Sequence, residues 1–258
     1  MTDSDPWAAF RPLTPARIGL GHVGGSLPTA AHLAFQLAHA RARDAVHGIL
    51  DVPSLITELG GVGLRAVPVR TAASSPVEHL RRPDLGRRLD PESRVELLRV
   101  ADTGSRPPEL VFLVAGGLSA AAVQRHAVPL LALLVSALVK ADWRIGPVVV
   151  AERGRVALGD EVGELLATRL VAVLIGERPG LSSPDSLGVY ITWEPKVGRT
   201  DAERNCISNV RPEGLQYGPA ADRLRFLLTE ARRRKLTGVA LKDDGLPGTS
   251  PLPPLKGA

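Results

Sequence analysis

The sequence predicts an α/β protein: a Rossmann-like open sheet of mostly parallel strands flanked by helices, preceded by a smaller, mainly helical N-terminal region. Three observations carry that expectation. From residue 103 onward, continuous apolar runs such as "ELVFLVAGG", "GPVVVAE" and "LVAVLIGE" alternate with stretches of helical spacing, and a strand that is apolar on both sides belongs in a sheet covered on both faces. Glycines follow several of these runs, where a chain turns out of a sheet. Before residue 103 the apolar residues recur mainly at helical intervals. The expected division is an N-terminal arm and helical region over 1–102, suited to contact with a partner, and an α/β domain over 103–258.

Residues 1–25 are rich in proline and glycine and show no sustained period, as in an extended arm lying on a surface. From Ser26, "SLPTAAHLAFQLAHARARDAVHGIL" has a serine or threonine for a cap and an early proline. Helical spacing follows, with Leu33 and Leu37 on one face and Ala34, Ala38, Ala42 and Ala45 beside them. A second helix is expected over Pro53–Leu59, then the extended piece "LRAVPVR", a turn, and a helix starting near Asp90–Ser93. Beyond "TGSRPP" come a strand in "ELVFLVAGG" and a helix over Leu118–Lys140, broken or kinked at Pro129. A strand in "GPVVVAE", a short helix in "GDEVGELLATR" and strands in "LVAVLIGE" and "LGVYITWEP" follow. The helix Pro219–Lys235 and a last short strand in "TGVAL" complete the order.

Composition narrows the function. The chain has 258 residues, 44% of them hydrophobic and 23% charged, enough for a substantial core in one large domain or two unequal ones. Its longest apolar stretch, Val128–Val139, is too short to cross a bilayer and reads as a buried helix. The opening "MTDSDPWAAF" lacks a basic leader with an apolar segment behind it, so the expected location is cytoplasmic. With Cys206 as the sole cysteine, neither an internal disulfide nor a thiolate-rich metal site can form within the chain. The net charge is +5, but 27 of the 32 basic residues are arginine and only 3% of the chain is aromatic, none of it interleaved with "ARRRK" at Ala231–Lys235. A nucleic-acid role would need stacking platforms there; a solvated helix end, where cations favour the dipole, explains the run better. Neither nucleic acid nor membrane is expected as a partner.

Two apparent motifs dissolve on inspection. Gly19, Gly21 and Gly24 in "GLGHVG" match the dinucleotide-binding spacing, but no strand precedes them and Asp44 falls inside a helix, so a nicotinamide or flavin role is not supported. His32, His39 and His47 lie about two turns apart on one helix, roughly 10 Å from one to the next, and cannot share an ion; no metal site is expected. The strand-end loops "VAGGLSA", "AERGRVALGDE" and "LIGERPGLSSPDSLG" are more informative, since open parallel sheets bind ligands beyond the carboxyl ends of their strands. Glu177 puts a carboxylate at such an edge, Pro179 and Gly180 fix a turn, and Ser182, Ser183 and Ser186 add hydroxyls. Pairing of Glu177 with Arg178, or exposure of both to water, reads the same residues equally well. No histidine follows His126, which argues against a Ser-His-acid triad among these loops. The loops suit a binder of something large rather than a complete catalyst.

The segment "GERPGLSSPDSLGVYITWEPKVGRTDAERNCISNVRPEG" resembles the signature region of the small (light) subunit of ethanolamine ammonia-lyase. The resemblance extends to "GRVALGDEVGELL", "RPDLGRRLD", "GLGHVGGSLPT" and "HARARDAVH", and so covers nearly the whole chain. It implies an adenosylcobalamin-dependent radical enzyme of ethanolamine catabolism that yields acetaldehyde and ammonia. The catalytic residues would lie in a TIM-barrel large subunit, and this chain would close over the cobalamin at the subunit interface, in an assembly of six of each chain. The family's cobalamin contacts fall on Val156, Glu177 and Cys206. The chain also lacks D-x-H-x-x-G, in keeping with a family whose cobalamin keeps its own nucleotide base on cobalt. One departure is visible: where the family pattern reads A-D-G-L-S, this chain has "AGGLS", with Gly116 in place of the aspartate. The resemblance leaves open enclosure in a bacterial microcompartment, and Met1–Pro15 reads as a partner-binding arm. A non-enzymatic cobalamin carrier is the alternative.

Overall fold

In the computed structural model, which describes residues 5–103 and 106–243, the first helix, α1 (Thr29–His47), starts at Pro28 without the expected side-chain cap. The next four are capped by short polar side chains. Asp51 accepts from the Ser54 N–H at 3.0 Å to open α2 (Val52–Gly61), and Ser75 opens α3 (Pro76–Arg81). Asp90 accepts from the Ser93 N–H at 2.7 Å to open α4 (Pro91–Asp102), and Ser119 opens α5 (Ala120–Lys140). Each oxygen satisfies an amide that a helix start leaves without a partner. Helices α6 (Leu158–Leu165) and α7 (Tyr217–Arg234) complete the set. α5 runs unbroken through Pro129, which lies on its exposed side. Among the described residues α5 alone is long and apolar enough to cross a membrane, and half of its apolar window is buried inside the fold.

Six strands, β1 (Ala66–Val69), β2 (Leu110–Ala115), β3 (Val148–Ala151), β4 (Leu170–Gly176), β5 (Leu187–Trp193) and β6 (Arg204–Val210), form one sheet in the order β1-β3-β2-β4-β5-β6. The first four in that order are parallel, with Leu110–Ala115 of β2 in register against Leu170–Ile175 of β4. β5 runs antiparallel to β4 and β6 antiparallel to β5, so that β1 and β6 are the edges. Side chains alternate between the two faces. Leu110, Phe112 and Val114 meet α2, α5 and α7 through Leu55, Leu131 and Leu224, whereas Val111, Leu113 and Ala115 meet α4 and α6 through Leu97 and Val162. The larger of these side chains each contribute about 1.5–3 kcal/mol by leaving water.

Three further elements differ from the sequence reading. "TGVAL" is not a strand: Gly238–Ala240 forms a 3-10 turn, with Gly238 against Ala202 and Glu203 and its N–H donated to Asn205. "RNCISNV" is the sixth strand, unanticipated because only Ile207 and Val210 of its apolar residues are buried. Residues Pro76–Arg81 form α3 where only a loop and turn were read. On α1, Leu33 and Leu37 on one side and Phe35 on the other are between 42% and 57% exposed, and only Ala38 and Ala45 are buried. The "ARRRK" run behaves as a helix end: Arg233 and Arg234 pair with Glu230, and Arg232 reaches Glu109 while lying 4.6 Å from the Trp143 ring centre.

Candidate functional site

The connections leaving β2 set the position of the site. The chain passes from β2 through α5 to β3 on one side, then returns through α6 to β4 on the other, so the crossovers diverge between the carboxyl ends of β2 and β4. That is where an open sheet leaves a crevice. The two ends approach closely: the Leu118 N–H donates to Gly176 O at 3.0 Å, and a Cβ on Gly176 would stand 2.1 Å from Ser119 O. Gly117 takes φ +63°, a conformation that favours glycine. A pocket of about 410 Å³ opens there. Gly117 and Leu118 line it from the β2 end, Arg155 and Val156 from the β3 end, and Glu177 and Arg178 from the β4 end. A larger cavity of about 1000 Å³ lies in the N-terminal arm, between Trp7 and Leu27, away from the strand ends.

The structure brings two of the expected residues, Val156 and Glu177, into this pocket and places Cys206 beside it. Tyr190 and Ser208 also line it. Cys206 is the cross-strand partner of Tyr190 and lies two residues from Ser208 on β6. Burial, then the nearby Cys206, push the Tyr190 pKa up. Cys206 is exposed by area, yet the protein around its thiol, with the Glu177 charge adding to it, raises its pKa against the opposing pull of Tyr190. At neutral pH it is a thiol, unsuited to nucleophilic work. On the sheet, α6 packs mainly against β4 and β2, so β5 and β6 carry Tyr190, Cys206 and Ser208 past it as a ledge.

Glu177 does not pair with Arg178. Its Oε1 accepts from Ser208 Oγ at 2.5 Å, and its Oε2 accepts from the Ser186 hydroxyl and from the Asn209 N–H at 3.1 Å. One carboxylate thereby joins the β4–β5 loop to β6. The loop is held further by Ser119, whose hydroxyl donates to Pro184 O at 3.0 Å, and by the arm, where Pro15 O accepts from Ser182 Oγ at 3.2 Å. Gly188 leaves room for this arrangement, since a Cβ there would stand 2.9 Å from Glu177 Oε1. A Gly188→Ala variant should displace the carboxylate and loosen the loop, seen as faster amide exchange over residues 177–186; unchanged exchange would mean that the carboxylate is not the tie.

Sequence reasoning missed the supports behind the site. Arg204 and Asp160 form a buried ion pair with two bonds of 2.7 Å, and Arg204 also reaches Thr192 Oγ1 at 2.8 Å. Burial pushes the Asp160 carboxyl above its ordinary range, and the Arg204 hydrogen bonds and charge pull it back. Next to it, Glu161 accepts from the Leu89 N–H and pairs with Arg94. The adjacent acids in "GDEVGELL" thus pin α6 to β6 and to the segment leading into α4. Their only signal in the sequence was two carboxylates inside a short apolar helix. At Gly116, where an aspartate was expected, a Cβ would stand 2.2 Å from Glu152 O, so the β3 end closes over the space that a side chain would need. Among the described residues no cluster of histidine, cysteine and carboxylate side chains could hold a metal. "GLGHVG" lies in the arm behind a non-strand segment and runs into a short turn closed by Val23 and Ser26, not into a dinucleotide loop.

The chain is thus an open α/β protein with a pocket at the switch point of its sheet, lined by two arginines and a tied carboxylate, with a thiol beside it. The chain belongs to the ethanolamine ammonia-lyase light-chain family, whose model matches residues 4–242. It is 56% identical over 242 residues to the ethanolamine ammonia-lyase small subunit of Azotobacter vinelandii, covering 93% of this chain and 89% of that one. The small subunit of Pseudomonas putida is 54% identical over 243 residues, 94% of this chain and 89% of its own. That of Xanthomonas campestris pv. campestris is 55% identical over 240 residues, 93% and 88% of the respective chains.

Proposed function

We propose that this chain is the cobalamin-clamping subunit of an ethanolamine ammonia-lyase, acting with a large subunit that carries the catalytic residues for converting ethanolamine to acetaldehyde and ammonia in ethanolamine catabolism. The observation that carries the reading is the convergence of Val156 and Glu177, from two strand ends, and Cys206, from within β6, on one pocket and its ledge. On this reading 103–258 is a Rossmann-like cobalamin-binding domain and 1–102 the partner-contacting region, and the assembly holds six of each chain in the cytoplasm or in a microcompartment.

The residues present fit such a group. A pocket of about 410 Å³ suits a ligand of drug size, so a corrinoid would enter it by one edge and lie across the ledge, with the rest of it left for a second chain to cover. Arg155 Nε is buried without a partner at this point, an orphaned donor that a ligand would satisfy. Val156 offers apolar contact, Cys206 a small neutral surface, and Glu177 Oε1 a remaining lone pair for an amide N–H of the corrin periphery. Adenosylcobalamin, when bound, supplies a cobalt–carbon bond whose homolysis begins radical chemistry. This chain's residues would place it and keep water out.

The outward faces of α1 and the arm suit the large subunit. Leu33, Phe35 and Leu37 are joined in exposure by Trp7, Phe10 and Leu13, and apolar surface of this kind marks an interaction site. Leu33→Asp with Leu37→Asp is expected to abolish co-purification with the large subunit while leaving the circular dichroism of this chain unchanged; retained co-purification would move the interface elsewhere. For the function as a whole, the isolated chain should neither deaminate ethanolamine nor retain cobalamin in equilibrium dialysis, and co-expression with the large subunit should restore both. Tight cobalamin binding by the isolated chain, with no gain of activity in the complex, would make it a carrier instead.

A further inference from the structure

Arg155 and Arg178 reach the switch-point pocket from two different strand ends. Arg87 closes the 3-10 turn Leu85–Arg87, which is tied to the same place by the Arg155 N–H donating to Gly86 O at 2.8 Å. Burial, and then the charges of Arg87 and Arg178, work against the Arg155 cation and lower its pKa. Nearby arginines are neutralised, Arg82 by Asp84 and Arg153 by Glu152, whereas among the described residues no carboxylate comes within ion-pair distance of Arg87, Arg155 or Arg178. The Arg155 guanidinium donates to His79 O at 2.9 Å, and its Nε has no partner. The one carboxylate on the pocket, Glu177, is occupied by Ser186, Ser208 and Asn209.

Arg155 is half-buried beside the exposed Arg87 and Arg178, and its charge is unfavourable there unless an anion completes the arrangement. Guanidinium groups present planar forks of N–H donors that match the oxygens of phosphate. We propose that Arg87, Arg155 and Arg178 form an anion site at the pocket that receives the oxygens of a phosphate ester. The proposal rests on the cobalamin reading of the same pocket, in which the phosphodiester of the cofactor's nucleotide arm is that ester; free inorganic phosphate is the other source of the same chemistry. Arg178, which has no partner within the chain's described residues, would thereby acquire one.

The test uses the complex co-purified with the large subunit, as wild type, as Arg87→Ala with Arg178→Ala, and as Arg178→Lys. Arg155 is left in place because it also holds the His79 carbonyl. Equilibrium dialysis compares adenosylcobalamin with adenosylcobinamide, the same corrinoid without its phosphate-bearing arm. The double variant should bind cobalamin about tenfold more weakly or worse and cobinamide unchanged, with the lysine variant between. Added inorganic phosphate should compete with cobalamin, and not with cobinamide, in the wild type alone. If phosphate instead raises the thermal midpoint of the wild type but not of the double variant, without touching cobalamin binding, the site stands and its source is free phosphate. Equal losses for both corrinoids, or no response to phosphate in either assay, would overturn it. So would loss of the large subunit from the double variant with no difference between the corrinoids, which assigns the arginines to carboxylates of that partner. Failure of the wild type to bind either corrinoid would sink the cobalamin reading, and phosphate-dependent stabilisation would then decide the anion site by itself.

Discussion

Replacing Asp160 with asparagine is expected to destabilise the chain by about 3–5 kcal/mol, a fall in thermal midpoint on the order of 10 °C for a chain of this size. The side chains of Asp160 and Arg204 are only 2% and 1% exposed, so the amide would leave a guanidinium in the interior with its charge uncompensated. Asparagine can accept one of the two 2.7 Å bonds but cannot supply the charge. Thr192 and the Arg199 carbonyl, the other acceptors on Arg204, are neutral, while Asp201 approaches only Arg204 Nε, at 3.5 Å, and is itself 98% exposed. Removing both charges should cost far less: Asp160→Leu with Arg204→Met is expected to regain most of the loss, because a well-packed apolar pair avoids desolvation of both ions. Urea denaturation of the two variants gives the comparison. A loss below about 1 kcal/mol for the single variant would mean that water reaches the pair. The position of the pair separates stability from geometry. It joins α6, just beyond Val156, to the β6 strand that carries Cys206. If the double variant recovers stability but not cobalamin affinity, the ion pair is a positioning device for the ledge.

The legible parts of this fold were those written in long, one-sided patterns. β2, β3 and β4 are buried on both faces, and a strand of that kind can only be spelled with continuous apolar residues, so "ELVFLVAGG" and its counterparts were readable. β6 was not, because an edge strand with one face on a ledge has polar residues at Asn205, Ser208 and Asn209 and resembles a loop. α1 misled in the opposite sense. Its periodicity is real, but a pair of leucines one turn apart does not say what covers it, and among the described residues little does. At the site, the glycines and Glu177 stood out because they sit where strands end. The partners of Glu177, nine and more than thirty residues away in Ser186, Ser208 and Asn209, depend on the antiparallel return of β5 and β6, which local spacing does not encode. The same holds for Arg204 meeting Asp160, 44 residues apart. Long-range ion pairs between buried groups leave no periodic trace.

Glu177→Ala is expected to change both stability and ligand binding, and the order of the two effects identifies what the residue does. The carboxylate collects three donors from two segments. Hydrogen bonds to a charged acceptor contribute about 1.5–3 kcal/mol each when made alone, but they share one group and water can reach Ser208 and Asn209, so a net loss of about 2–3 kcal/mol is expected rather than their sum. The buried Ser186 hydroxyl would lose its partner, and the loop from Arg178 to Asp185 would be left to Ser119, to the Arg125–Asp185 ion pair at 2.8 Å and to its contacts with the arm. Cobalamin affinity of the assembled enzyme should then fall about tenfold, as binding must first reorder the loop. Glu177→Gln keeps the volume and one acceptor, so it should fall between the wild type and the alanine variant in denaturation. Its binding is the informative measurement. Affinity near that of the wild type would mean that an oxygen at this position is sufficient and that Glu177 touches the ligand as an acceptor. Affinity that tracks the stability of the loop across both variants would make it an anchor. Unchanged affinity in Glu177→Ala, despite a lowered midpoint, would remove the residue from the binding site and leave it as a tie between β4 and β6.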